Sequence, residues 1–136
     1  MEYHGYTIST DKSLLSVDRI MEFLDQTYWA NGRSREKVET SIANSALCFG
    51  VYYRSEQVGF ARVVTDFVSI YWIGDVFIAE EHRGRGLGKR LVRAIVEAPE
   101  LQGLAGILAT RDAHGLYRQF GFESDPENLM RRPRLR

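Results

Sequence analysis

The 136-residue chain has a single cysteine, Cys48, so an internal disulfide is excluded. Cys48 stands between Leu47 and Phe49 in an apolar run, the setting of a buried thiol in a reducing compartment. No histidine lies near it in sequence to activate it as a nucleophile. There is no run of about 18 apolar residues to span a bilayer. The opening Met1-Glu2-Tyr3-His4-Gly5-Tyr6 lacks the basic-then-apolar order of a secretory signal. A cytoplasmic protein without membrane attachment is the expectation. Charge of one sign is missing as well: 18 Lys and Arg balance 18 Asp and Glu. That argues against a nucleic-acid partner, because such binding neutralises phosphates with excess basic charge. The densest basic run, Arg131-Arg132-Pro133-Arg134-Leu135-Arg136, reads as a frayed, solvated tail. With no repeat, low-complexity segment or linker, residues 1–136 read as one domain, and 44% hydrophobic residues suffice for its core.

Periodicity sets the element order. Tyr6 to Ser9 alternates like an edge strand. Leu14, Val17, Ile20, Met21, Leu24 and Tyr28 recur at spacings of three and four, an amphipathic helix that Asp11 or Ser13 could cap. Asn31-Gly32 breaks the chain, and Ser34 opens a second helix carrying Val38, Ile42 and Leu47. Leu47–Tyr53 and Val58–Val64, joined by a polar turn, read as a hairpin. Val68–Ile78 is a further strand, broken near Gly74, where glycine marks a bulge. A glycine-rich turn follows at Arg83–Gly88, then a helix striped by Leu87, Leu91, Ile95 and Ala98 and stopped by Pro99. Gly106–Thr110 reads as a short strand, and Asp112 caps a helix running to Phe120, with Gly121 as its left-handed end. Phe122 onward supplies a last strand. The order β-α-α-β-β-β-α-β-α-β is α+β: a mostly antiparallel sheet, one parallel crossover and about four helices.

The strongest chemical signal is the run Val76-Phe77-Ile78, then Arg83-Gly84-Arg85-Gly86-Leu87-Gly88-Lys89-Arg90. Three alternating glycines lead from a strand into a helix whose first N–H groups lack partners and carry the positive end of the helix dipole. With the basic side chains around it, this is a place for a phosphate or pyrophosphate. Two common phosphate loops are excluded. The dinucleotide pattern wants Gly or Ala where Lys89 stands, and a P-loop wants Ser or Thr where Arg90 stands.

Arg83-x-x-Gly86-x-Gly88 resembles the acetyl-CoA pyrophosphate loop of the GNAT superfamily. About 30 residues on, Leu116-Tyr117-Arg118-Gln119-Phe120-Gly121-Phe122 is similar to that family's Leu-Tyr-x-x-x-Gly-Phe ending. The resemblance implies a sheet that splays beside the acetyl-CoA site, and N-acetyl transfer to an amine. Val76, Phe77 and Ile78 would run along the pantetheine arm. Arg83, Gly84, Arg85, Gly86, Leu87, Gly88 and Lys89 would hold the pyrophosphate. Tyr117 falls where the family places the residue that protonates the departing thiolate. Thr110 stands where an asparagine often bonds the pantetheine, and its hydroxyl is the shorter substitute.

Other roles come from the residues themselves. An attacking amine must lose a proton. Asp75, among Trp72, Ile73, Val76 and Phe77, would have a raised pKa if buried and is the first candidate base. Asp66, Asp112, His114 or a water chain are alternatives. Tyr28, Trp29 and Trp72, with Asp66 or Asp75 attracting a cationic amine, are the candidate acceptor pocket; Phe67 and Tyr71 add to the aromatic supply. No metal is expected, and the chain would act as a monomer or homodimer. A non-catalytic CoA-binding sensor on the same fold is the competing function.

Overall fold

The computed structural model describes residues 2–134. Its sheet has six strands in sequential order: β1 (Glu2–Tyr3), β2 (Tyr6–Ser9), β3 (Leu47–Tyr53), β4 (Glu56–Thr65), β5 (Ile70–Ile78) and β6 (Ala105–Ile107). Successive strands are antiparallel through β5, and β6 joins β5 in parallel. The α-helices of the described residues are α1 (Val17–Asp25), α2 (Arg35–Asn44), α3 (Leu87–Val96) and α4 (His114–Arg118). A parallel neighbour cannot be reached by a tight turn, so α3 fills the crossover from β5 to β6. The expected α+β fold, its bulge and its crossover are all present. No helix of the described residues is long and apolar enough to cross a membrane.

Two amphipathic helices close the core on the sheet. α1 buries Ile20, Phe23 and Leu24, and Phe23 stacks on Phe77 of β5 with ring centroids 5.0 Å apart. α3 buries Leu87, Leu91, Val92 and Ile95. Each such side chain contributes about 1.5–3 kcal/mol by leaving water. Cys48 is buried, as its apolar neighbours implied.

Several boundaries differ from the sequence reading. Ser16, not Asp11 or Ser13, caps α1 by accepting from the Arg19 N–H; Asp11 caps the preceding 3₁₀ turn. The helix ends at Asp25 rather than Tyr28, because Thr27 turns the chain. Its hydroxyl donates to the Leu24 carbonyl and accepts from the Ala30 N–H. Tyr28 and Trp29 thereby leave the helix stripe. α4 is shorter than expected, and Thr110 rather than Asp112 accepts the Ala113 N–H at its start. Among the described residues no strand follows Ile107. Phe122 instead folds back, its N–H on the Tyr117 carbonyl and its ring against that of Tyr117, and Asp125–Leu129 close a turn.

Candidate active site

β5 and β6 part company after three residue pairs, Ile70–Ala105, Tyr71–Gly106 and Trp72–Ile107. β5 runs on to Ile78 while the chain after Ile107 bends away. The freed edge of β5 opens on a cleft of about 520 Å³ lined by Val76, Phe77 and Ile78. Backbone groups along such an edge seek a partner, and an extended ligand can supply one. A bulge sits at the parting. The β4–β5 register passes from Phe60–Phe77 to Arg62–Gly74, so β5 carries one extra residue there. Asp75 takes it up with φ +54°, a left-handed conformation uncommon outside glycine.

The glycine turn forms the end of the same cleft. Gly84 and Gly86 both have φ +78°, a region costly to any residue with a Cβ. Gly86 is the residue before α3, and the helix start carries neither a capping side chain nor an acidic residue in its first turn. Its positive end is therefore left to an anion. Arg83, Gly84, Gly86, Leu87 and Gly88 line the cleft. Arg83 also ties the turn to β5, donating to the Ile78 carbonyl at 2.8 Å and lying over the Phe77 ring. Other basic side chains of the turn serve elsewhere. Arg85 donates to the Tyr6 hydroxyl, itself 2.7 Å from His82 Nδ1, and Arg90 lies 4.0 Å over the Tyr3 ring. These contacts pin the turn to the N-terminal hairpin. Lys89 is exposed and does not line the cleft, so Arg85 and Lys89 can contribute there only through backbone or at long range.

A second cleft, about 410 Å³, lies on the far side of the bulge and is lined by Trp72, Asp75, Thr110, Arg33 and Arg62 among others. Tyr28, Trp29, Val76, Asp112, Ala113 and Tyr117 belong to both clefts. Tyr117 is thus a wall between them. It is 8% exposed, and burial, assisted by the Asp112 carboxylate, pushes its phenol up to about 12. It is a neutral donor throughout the physiological range. His114 lines a separate hollow beside the C-terminal segment. Thr110 lines the second cleft and not the first, and its oxygen accepts the Ala113 N–H, which leaves its proton for another partner.

The two expected carboxylates are corrected. Asp66 lies in the β4–β5 turn, outside both clefts, where it accepts from the Val68 and Ser69 N–H groups and the Ser69 hydroxyl. Those bonds lower it to about 2. It is a turn-former, not a ligand for an amine. Asp75 is buried as expected, but the direction of its shift is reversed. Desolvation raises it, yet hydrogen bonds and charge from Arg33 and Arg62 outweigh that and leave it below the ordinary carboxylate value. Arg33 and Arg62 each donate to Oδ2 at 2.7 Å, and Trp29 Nε1 donates to Oδ1 at 2.9 Å. An ionised, triply bonded carboxylate is a poor base. Asp75 instead ties the α1–α2 loop to β4 and holds the bulge. Arg33 and Arg62 were missed in the sequence. Arg62 alone left a trace there, a charge set between Ala61 and Val63 in an apolar strand.

Asp75→Asn should therefore lower stability by about 2 kcal/mol, the scale of hydrogen bonds to charged groups. Because the folded carboxyl is depressed, its contribution is present above the unfolded value of ~3.9 and disappears as pH falls through the folded one. Urea titrations should show the deficit at pH 7 and its shrinkage below about pH 4. A deficit independent of pH would mean that packing, not charge, is what the aspartate supplies.

The described residues 131–134 of the C-terminal segment are exposed and without secondary structure, as expected of a solvated tail. Two of its side chains reach clefts nonetheless: Arg131 lines the second cleft and Arg134 a neighbouring hollow; Leu135 and Arg136 lie outside the described residues. No cluster of three or more His, Cys, Asp or Glu that could hold a metal ion is found among the described residues.

Comparison with known proteins agrees with this geometry. A family model described as an acetyltransferase (GNAT) domain matches residues 44–124. The crystal structure of a GNAT-family protein, xcc2953 of Xanthomonas campestris, named a candidate acetyltransferase, superposes with a TM-score of 0.89 at 45% identity, covering 94% of this chain and 92% of that one. A Gibberella zeae protein, FG08082, also named a candidate acetyltransferase, is 33% identical over 118 residues, covering 72% of this chain. The GCN5-related N-acetyltransferase 1 of Arabidopsis thaliana is 26% identical over 136 residues, 95% of this chain and 67% of that protein. The match spans 65% of the Gibberella protein, just under two thirds of its length.

Proposed function

The chain belongs to the GNAT acetyltransferase family, and from that premise we propose that it moves the acetyl group of acetyl-CoA to a primary amine by direct attack. The observation that carries this reading is Tyr117, shared by a cleft suited to an extended anion and a separate aromatic cleft. Acetyl-CoA fits the first: its pyrophosphate at Gly84–Lys89, its pantetheine along the open edge of Val76–Ile78. The amine enters through the second and meets the thioester at Tyr117. A sensor needs only the first cleft.

What lines the two clefts supports direct attack. Neither presents a Cys, Ser or Lys side chain among the described residues. Cys48 is buried elsewhere, its thiol raised by that burial. Thr27 borders the first cleft, but its hydroxyl donates to the Leu24 carbonyl and accepts from the Ala30 N–H, and the Thr110 hydroxyl of the second cleft accepts the Ala113 N–H. So the amine nitrogen bonds to the thioester carbonyl, the tetrahedral intermediate loses a proton, and the C–S bond breaks to release thiolate towards Tyr117. Asp112, exposed and common to both clefts, takes the place expected of Asp75: it makes no ion pair among the described residues and can accept that proton directly or through water.

Release of CoA thiol from acetyl-CoA across a panel of amines tests the reading. Varying both substrates should give intersecting reciprocal plots, the pattern of a ternary complex. Parallel plots would demand an acetyl-enzyme. Tight acetyl-CoA binding with no thiol release for any amine would favour the sensor.

A further inference from the structure

The acceptor cleft is cationic. Arg33, Arg62 and Arg131 line it against two carboxylates, Asp75 and Asp112. Asp75 is already shared by two guanidiniums, so that cluster keeps a net positive charge. Beyond it lies a hollow of about 300 Å³ that also contains Trp29, Arg33 and Arg62 and adds Lys37 and Arg134, with no acidic residue among those lining it. Lys37, Arg131 and Arg134 make no ion pair among the described residues, where every salt bridge involves Arg19, Arg33, Arg35 or Arg62.

The two guanidiniums retain donors for a ligand. Each has five N–H groups. Arg33 uses one on Asp75, and Arg62 uses Nε on Asp75 and a long contact to the Ser45 hydroxyl. Their side chains are each 18% exposed, enough to be reached and too little to be fully screened. The middle cleft therefore has two chemically distinct ends. One, at Tyr117 and Asp112, is shared with the acetyl-CoA cleft; the other, at Arg33 and Arg62, is shared with the basic hollow.

Resting on the acetyl-transfer reading above, we propose that the acceptor is an amine that also carries an anionic group, a carboxylate or a phosphate. Arg33 and Arg62 bind the anion and Tyr28, Trp29 and Trp72 flank the body of the molecule, directing its amine to Tyr117. A purely cationic amine is repelled. The same positive charge disfavours the ammonium form of a bound acceptor and so promotes the neutral amine that attack requires, which lightens the work of any base.

The test compares matched amines at saturating acetyl-CoA: L-phenylalanine with phenethylamine for carboxylate, and O-phosphoethanolamine with ethanolamine for phosphate. Thiol release is measured and the acetylated product confirmed by mass. In at least one pair the anionic member should have a kcat/KM at least about tenfold higher, the scale of a charge-assisted bond; which pair responds identifies the anion. Arg33→Gln should raise KM for that amine by about tenfold or more, and by clearly more than it raises KM for the uncharged counterpart. The double change Lys37→Gln with Arg134→Gln, at exposed residues without ion pairs, should raise KM without affecting the fold. Should no amine turn over, calorimetry of the same pairs on the CoA-saturated protein decides: the anionic member must bind, and Arg33→Gln must weaken it. Equal or better use, or binding, of the uncharged member in both pairs overturns the inference. Acetyl-CoA binding with turnover of uncharged amines would leave the acetyl-transfer reading standing, whereas loss of both would remove that reading itself.

Discussion

Gly86→Asp is expected to weaken acetyl-CoA binding by at least about 100-fold. Two effects act, one on stability and one on binding. The residue sits at φ +78°, so any side chain forces left-handed strain of roughly 1–2 kcal/mol. The new carboxylate also occupies the start of α3, where the pyrophosphate would lie, and like charges placed together cost several kcal/mol. The repulsion alone exceeds about 2.7 kcal/mol, two decades in affinity; the strain is already present in the unliganded fold and lowers stability instead. Gly86→Ala separates the two. A Cβ there would come only within 3.6 Å of the Tyr3 hydroxyl, an ordinary contact, so alanine brings the backbone strain without the charge. Calorimetry on the three proteins should rank them wild type, alanine, aspartate, with the large step at aspartate. Equal affinity for wild type and aspartate would remove the turn from the binding site.

That prediction stands on a feature legible in the sequence, and it is instructive which features were. Patterns that repeat along one element survive translation into structure: the α3 stripe of Leu87, Leu91 and Ile95, the hairpin of β3 and β4, and the glycine spacing of the turn. Each is decided by neighbours within a few residues. The bulge near Gly74 was legible too, although β5 runs through it unbroken, because a glycine amid β-branched and aromatic residues has few other reasons to be there. The electrostatics were not. Asp75 looked like a buried acid in apolar company because the sequence shows only Trp72, Ile73, Val76 and Phe77 beside it. Its true company, Arg33 and Arg62, arrives from 42 and 13 residues away. A pKa depends on what lies within a few ångströms, and burial and pairing push it in opposite directions; chain neighbours reveal only the first. The tail is solvated as its composition implied, but composition could not show that Arg131 and Arg134 also border clefts.

The acceptor site therefore inverts the first expectation about charge. Two aspartates read as attractants for a cation turn out to be a turn-former and the centre of an arginine pair. On the reading proposed above, Arg33 and Arg62 face one end of the acceptor and Asp112 the other. Asp112 alone keeps a carboxylate free at the junction of the clefts, and its nearness contributes to the raised phenol of Tyr117.

Tyr117→Phe should lower kcat by about 10–150-fold, the range of a hydrogen bond to a charged group worth ~1.5–3 kcal/mol. A larger loss would be expected of a full proton donor, but the acidities oppose complete transfer. The phenol stands at about 12, whereas a thiol lies near ~8.5, so the proton belongs on oxygen and Tyr117 stabilises the departing sulfur by sharing it. The variant should fold normally. The hydroxyl makes no hydrogen bond within the described residues, so removing it orphans nothing, and the ring keeps its contact with Phe122 at 5.9 Å. Acetyl-CoA affinity should be unchanged. The pH profile supplies an independent readout. In the wild type kcat/KM should rise as the acceptor amine loses its proton and then stay level to about pH 10, because a phenol titrating two units higher cannot ionise in that window. The variant should follow the same curve at reduced height. An alkaline fall in the wild type that vanishes in Tyr117→Phe would mean that the phenol ionises far below its buried value and does act as a true acid. Undiminished kcat in a folded variant that still binds acetyl-CoA would make Tyr117 a packing residue and move thiolate stabilisation to solvent.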